Sequence, residues 1–251
     1  MAGLINWVFR RYWPQRLHPY QLLRDRLAEL VGPGMTVIDA GCGYRAPTLS
    51  ELRGRGARLI GVDVVPLDVP DGLESLSANL AEVPLPDATA DLLYSRSVME
   101  HVTDPDAVYA EAWRLLKPGG RWIFLTANRW DYVSLAARII PNRWHGRIIS
   151  AIGERDEKDV FPTAYRTNDR RQISALAERS GFHVERFDRM VQYPSMLAWN
   201  GVLFLVGTAY EKLIARVEWL SPLRGWLFVE LVKPGHAAGD TIAAPVHAHA
   251  R

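Results

Sequence analysis

Val37-Ile38-Asp39-Ala40-Gly41-Cys42-Gly43 is a run of β-branched and apolar residues that closes on a carboxylate and two glycines. It reads as a buried parallel strand feeding a tight turn, where glycine lets the backbone approach a ligand closely. A second apolar run, Arg58-Leu59-Ile60-Gly61-Val62-Asp63, again ends in an acidic residue. Asp39 narrows the chemistry. A carboxylate at the strand tip repels the pyrophosphate that a dinucleotide-binding glycine loop cradles, so a cationic ligand suits this turn better.

Outward from these runs, strands are predicted near 36–40, 57–63, 73–77, 91–95, 121–127, 183–192 and 226–232. Helical patterns over Tyr20 to Leu30, Thr48 to Arg53 and Asp104 to Leu116 separate the early strands, as a doubly wound α/β sheet requires. A further helix over 169–180 stops at Ser180-Gly181-Phe182.

In order and spacing the chain resembles the class I S-adenosylmethionine-dependent methyltransferases, whose ligand carries a sulfonium and an ammonium group and no phosphate. The resemblance rests on the two runs above, on Asn79-Leu80 ahead of Val83-Pro84-Leu85-Pro86-Asp87, on Ala90-Asp91-Leu92-Leu93-Tyr94-Ser95, on Ser97-Val98-Met99-Glu100-His101-Val102, and on Leu116-Lys117-Pro118-Gly119-Gly120-Arg121-Trp122-Ile123-Phe124. It covers roughly residues 30–128. It implies a Rossmann-like seven-stranded sheet, mostly parallel with an antiparallel edge strand and helical cap insertions, whose last two strands pair antiparallel.

It also implies the cofactor site. Gly41 and Gly43 form the turn, and Asp63 accepts both ribose hydroxyls. Asn79 and Leu80 lie beside the adenine, where the family usually has an Asp-Ala pair, and Ser95 closes the fourth strand. Asp39 acts at one remove, orienting loop amides or attracting the positive end of S-adenosylmethionine. Arg45 stands where the family commonly has a third glycine, and either reaches the ligand carboxylate or points to solvent. Gly41, Gly43 and Ala46, with Asp63 some twenty residues on, also satisfy the looser dinucleotide pattern. A NAD-dependent oxidoreductase or epimerase is therefore an alternative, opposed by Asp39, by the Leu116–Gly120 turn and by the lack of a Tyr-x-x-x-Lys pair. A non-catalytic cofactor-binding scaffold is a second alternative.

Composition bounds the rest. The 251 residues are 48% hydrophobic and 23% charged, enough for one sizeable core. A net charge of +2 gives no bulk attraction to nucleic acid. One cysteine, Cys42, excludes an internal disulfide and a Cys-rich zinc site, and a reducing cytoplasm is the expected compartment. The opening Met-Ala-Gly-Leu-Ile-Asn-Trp-Val-Phe-Arg-Arg places charge after a short apolar run, the reverse of a secretory signal. The expected division is a methyltransferase domain over 1–234 and a loose tail over 235–251, where His247 and His249 are solvated. Glu100-His101 is similar to the metal group of ubiquinone-type O-methyltransferases, but Ser97 replaces its first carboxylate, so no metal is expected.

Two segments exceed the minimal sheet. Residues 129–168 follow the fifth strand at the ligand crevice and form the expected substrate cap, rich in aromatic and polar groups suited to a sugar or an aromatic hydroxyl compound. Its Asp159-x-Phe161-Pro162-Thr163-x-Tyr165-Arg166-x-Asn168 run resembles bacterial methyltransferases of the type-11 group. A hydroxyl acceptor needs a base, for which His145 and then His101 are the candidates; Tyr165 and Arg166 orient the acceptor or pair with Asp156 or Asp159. The expected acceptor is a small molecule or a glycan or lipid-linked intermediate. The second segment, 195–221, is a helical insertion between the last two strands. Its Met196 to Tyr210 run falls short of the ~20 apolar residues that span a bilayer. It packs on the sheet, or makes peripheral contact with the inner face of a membrane with help from Arg10, Arg11 and Arg16.

Overall fold

The apolar runs become strands because a doubly wound sheet is covered on both faces and rewards unbroken β-branched sequence. The computed structural model describes residues 2–13, 18–139 and 162–235. The tail, Arg16 and the greater part of the predicted cap, with His145, Asp156 and Asp159, lie outside the described residues. The strands are β1 (Thr36–Ala40), β2 (Arg58–Asp63), β3 (Glu74–Ser77), β4 (Ala90–Arg96), β5 (Leu116–Ala127), β6 (His183–Met190) and β7 (Trp226–Val232), in the spatial order β3-β2-β1-β4-β5-β7-β6.

β1 pairs in parallel with β2 and β4, β2 with β3, and β4 with β5. β7 runs antiparallel to both β5 and β6, so the reversed strand lies one place in from the edge. Strand order reverses between β1 and β4. Their carboxyl ends therefore open the crevice in which ligands of such sheets bind.

Alternate residues supply two cores. On one face Ile38, Ile60, Leu93, Trp122 and Phe124 pack against α4 (Pro105–Leu115) and α6 (Arg170–Arg179). On the other Val37, Leu59, Leu92, Tyr94 and Ile123 meet Leu23 and Leu27 of α2 (Pro19–Leu30). Helix starts follow side-chain caps. Asp104 accepts from Ala107 N–H, Asp169 accepts from Gln172 N–H, and His18 Nδ1 accepts from Tyr20 N–H just ahead of Pro19.

Two boundaries differ from expectation. The predicted helix after the glycine turn is a single turn, α3 (Pro47–Ser50). β5 begins at Leu116 and not near 121: Gly119 N–H donates to Lys233 O and Lys233 N–H to Gly120 O, so the expected turn is held in the sheet as an irregularity. A Cβ on Gly120 would lie 2.8 Å from Lys117 O, which explains the glycine.

Among the described residues three further helices are α1 (Ala2–Tyr12), α5 (Tyr132–Ile139) and α7 (Gly201–Arg216). With the 3₁₀ turns Ser195–Leu197 and Glu218–Leu223, α7 fills the β6–β7 interval. Met190 and Trp226, where that interval leaves and rejoins the sheet, pair at its carboxyl rim.

Candidate functional site

The turn after β1 is closed by backbone geometry. Gly41 and Gly43 adopt φ of +84° and +70°. Gly41 N–H donates to Val62 O at 2.8 Å, and Gly43 N–H donates to Asp63 Oδ2 at 2.8 Å. A Cβ on Gly41 would meet Val98 Cγ2 at 2.3 Å, so glycine lets the loop after β4 approach; on Gly43 it would meet nothing within 4 Å, and there the turn is open. Asp63 Oδ1 accepts from Val64 and Val65 N–H at 2.7 and 3.2 Å. A carboxylate offers about four lone-pair sites. Three are engaged by backbone amides, and Oδ2 retains acceptor capacity.

The loop amide goes to Asp63 and not to Asp39, so amide orientation is not a role of Asp39 here. Asp39 is 3% exposed, and Tyr94 Oη donates to its Oδ2 at 2.7 Å. Burial pushes the Asp39 carboxyl up to about 7, with neighbouring Asp63 adding to the rise and Tyr94 and Arg96 opposing it. Near neutrality Asp39 is thus a titrating group at the base of the crevice. Burial also raises the Cys42 thiol, with Asp39 and Asp63 adding, so it stays protonated and unreactive.

Beside this turn, Ser95 Oγ is buried without a hydrogen-bond partner and faces a small apolar cavity shared with Ile38, Leu80, Met99 and Val108. Asn79 Oδ1 accepts from Ala81 N–H at 3.0 Å, an Asx turn that presents Leu80 to the same cavity. Arg45 lies with its guanidinium 6.0 Å from the Tyr44 ring centre.

On the far side of the crevice, residues 162–168 dock onto the loop after β4. Glu100 O accepts from Ala164 and Tyr165 N–H, and the buried Glu100 carboxylate accepts from Thr126 Oγ1 at 2.6 Å. His101 Nδ1 is 3.1 Å from Pro162 O. A carbonyl only accepts, so Nδ1 is the donor in this contact. Tyr165 adopts φ +50°, the left-handed region. Arg166 donates to Thr103 O.

Sequence reasoning missed the contribution of α2. Tyr20 Oη and Ser97 Oγ are 2.9 Å apart, Ser97 itself has φ +56°, and Arg96 stacks 4.7 Å from the Tyr20 ring centre. His18 and Trp226 pack edge-on to Tyr20. Burial, then Arg96 and Arg24, lower the His18 pKa; with Nδ1 accepting from the backbone, its proton sits on Nε2. Pro19 suits the first turn of a helix, but nothing in the local sequence shows that this helix start meets β4. Glu211 of α7 is 1% exposed with neither carboxylate oxygen in a side-chain hydrogen bond, and Asp131 is 4% exposed with its Oδ1 likewise buried.

A concavity of about 1370 Å³ lies apart from this crevice. It lies at the same rim on the α4–α6 face and gathers Arg129, Arg166, Arg170 and Arg189.

Comparison with known proteins agrees with this geometry. Residues 38–124 match the family described as Methyltransferase domain. A protein of Mycolicibacterium smegmatis described as a probable S-adenosylmethionine-dependent methyltransferase is 30% identical over 183 residues, covering 69% of this chain and 60% of the relative. A ubiquinone biosynthesis O-methyltransferase of Cereibacter sphaeroides is 35% identical over 133 residues, 48% of this chain and 52% of the relative. Thus the chain spans only about half to three fifths of the length of these relatives. Among solved structures, a Haloferax volcanii methyltransferase in complex with the Trm112 methyltransferase activator shares the fold, with TM-score 0.59 and 19% identity over 92% of this chain and 94% of that one.

Proposed function

Because the chain belongs to the class I S-adenosylmethionine-dependent methyltransferases, we propose that it transfers a methyl group from that cofactor to a hydroxyl of a small molecule or of a glycan or lipid-linked intermediate. The observation that carries this reading is the Gly41–Gly43 turn locked to Asp63 at the β1–β4 switch point, with Asp39 beneath it. The residues fit the cofactor. Gly43 leaves open space, Asp63 Oδ2 keeps acceptor capacity for the ribose hydroxyls, Ser95 Oγ is an orphaned buried hydroxyl, and Asn79 and Leu80 offer an amide and an apolar edge to the adenine. Asp39 supplies negative charge toward a cationic ligand and repels a pyrophosphate, which favours this reading over a nicotinamide dinucleotide.

When bound, S-adenosylmethionine supplies an electrophilic methyl group on a sulfonium, so transfer is an in-line displacement in which positioning provides much of the rate. The protein's part is to hold the acceptor and take its proton. His101 is the described base candidate, since its Nδ1 contact with Pro162 O holds the ring beside the loop after β4. Tyr165, held at a left-handed backbone position beside it, orients the acceptor. His145, the first candidate base on sequence grounds, lies outside the described residues. O-methyltransferases are among the relatives, beside sterol C- and dimethylglycine N-methyltransferases, and a hydroxyl acceptor is the one that needs the base proposed here. A lipid-linked acceptor would bring the protein into peripheral contact with the inner face of a membrane.

Calorimetry against S-adenosylmethionine and NAD, followed by turnover to S-adenosylhomocysteine with a panel of hydroxylated acceptors, tests the reading. Binding and turnover are expected. Tight NAD binding with no response to S-adenosylmethionine overturns the cofactor assignment; cofactor binding without turnover on any acceptor favours a scaffold.

A further inference from the structure

On α7 the usual division between a buried and a wetted helix face fails. The inward positions Gly201, Phe204, Thr208, Glu211 and Ile214 are buried, yet the outward ones are Val202, Leu203, Leu205, Val206 and Leu213, each between 37% and 64% exposed. A helix that is apolar all round is normally buried all round. α1 shows the same excess, with Leu4 and Trp7 exposed, and the flanking turns add Trp199 at 64% and Trp219 at 80%. Nine of the twelve large apolar side chains exposed among the described residues therefore fall on these neighbouring elements, which makes them one face rather than scattered exceptions.

The seam between the two helices is already complete. Phe9 and Phe204 pack with ring centres 4.7 Å apart, Trp13 Nε1–H donates to Thr208 Oγ1 at 3.2 Å, and Gly201 sits against Leu4. The outward residues are surplus to folding. Charge on the two helices is one-sided. α1 ends in Arg10 and Arg11, α7 carries Lys212 and Arg216, and their one acidic residue, Glu211, is buried. A second copy of this chain would bring like charge against like. An anionic bilayer brings the complement, and exposed tryptophans beside basic residues suit headgroup depth.

We propose that the outer face of α1, α7 and their flanking turns docks on an anionic membrane, with the aliphatic row of α7 in the acyl boundary and Trp7, Trp199 and Trp219 at headgroup level. No helix among the described residues is long and apolar enough to cross a membrane, and the inward side of α7 is committed to the protein, so the contact is in-plane. Since α7 leaves and rejoins the sheet at its carboxyl rim, docking brings the crevice to the membrane surface, where the headgroup of a lipid-linked acceptor lies. That last step rests on the proposed methyl transfer; docking itself does not.

Flotation of the full chain with vesicles of phosphatidylcholine, alone or mixed with phosphatidylglycerol, tests the proposal. Association is expected with the mixed vesicles, weaker with neutral ones and reduced by salt. The exposed-site variant W199A/V202S/V206S should lower association about tenfold or more, and R10E/R11E should remove the preference for anionic vesicles. Circular dichroism and cofactor calorimetry on each variant establish that fold and site persist. Folded, cofactor-binding protein that floats with neither vesicle overturns the proposal. So does a dimer, seen by light scattering, that the triple variant dissolves while vesicle association is absent. Flotation by a chain that binds no S-adenosylmethionine sinks the methyl-transfer reading and leaves docking standing.

Discussion

Gly43 N–H donates to Asp63 Oδ2 at 2.8 Å, so one carboxylate both locks the glycine turn and offers the crevice its acceptor. Asp63→Ala removes both functions. Hydrogen bonds to a charged group are worth roughly 1.5–3 kcal/mol each, so affinity for S-adenosylmethionine should fall between about tenfold and a hundredfold or more by calorimetry. Asp63→Asn keeps one carbonyl oxygen and should lose less. Equal affinity in wild type and Asp63→Ala would remove Asp63 from the site.

Asp39 and Tyr94 predict a pH dependence of binding. With the Asp39 carboxyl raised to about 7, its charge develops as pH passes neutrality. Affinity for a cationic ligand should rise across that interval. Tyr94→Phe deletes the hydrogen bond that favours the ionised form and should move the midpoint upward. The stability sign is opposite: a raised carboxyl contributes stability below its folded pKa that is lost as pH climbs from about 4 toward 7 and above. Calorimetric titrations from pH 6 to about 8.5 decide it; pH-independent affinity would mean that Asp39 does not sense the ligand's charge.

β1, β2, β4 and β7 were legible because each is an apolar run bordered or closed by Asp or Gly, and the β1 and β2 tips could be read residue by residue. β5 was placed too late because Lys117-Pro118-Gly119-Gly120 carries turn chemistry, while its hydrogen bonds depend on Lys233, far along the chain. The same distance hid Tyr94 from Asp39 and Tyr20 from Ser97. Local sequence marks where a chain turns, but not which remote hydroxyl arrives there. Asp63 was legible as an acceptor, but not the number of its lone pairs already taken by amides.

His101 should act on turnover more than on binding. His101→Gln removes the basic nitrogen while keeping hydrogen-bonding capacity, and loss of a general base costs about 10²–10⁴ in kcat. Cofactor affinity should hold. A lowered melting temperature with an unchanged kcat would assign His101 to anchoring Pro162 instead.

Glu211 should be a net cost to stability at alkaline pH. Burial raises its carboxyl to about 8, and nearby Asp131 adds to the rise, with the Gln192 backbone amide and Lys212 only partly opposing it. The folded protein therefore holds a proton that the unfolded chain has released, and stability falls as pH rises from about 4.5 through 8. Glu211→Gln is close in shape to the neutral acid and cannot ionise. It should be nearly neutral in effect at pH 5 and stabilising by roughly 1–3 kcal/mol at pH 8.5, a shift of several degrees in Tm. The neutral form also leaves α7 without negative charge beneath its exposed apolar face, so the same substitution should leave anionic-vesicle association intact at pH 8.5, where wild type begins to weaken. Identical melting curves for wild type and variant across that range would show that Glu211 is already paired or hydrated, and would sink the prediction.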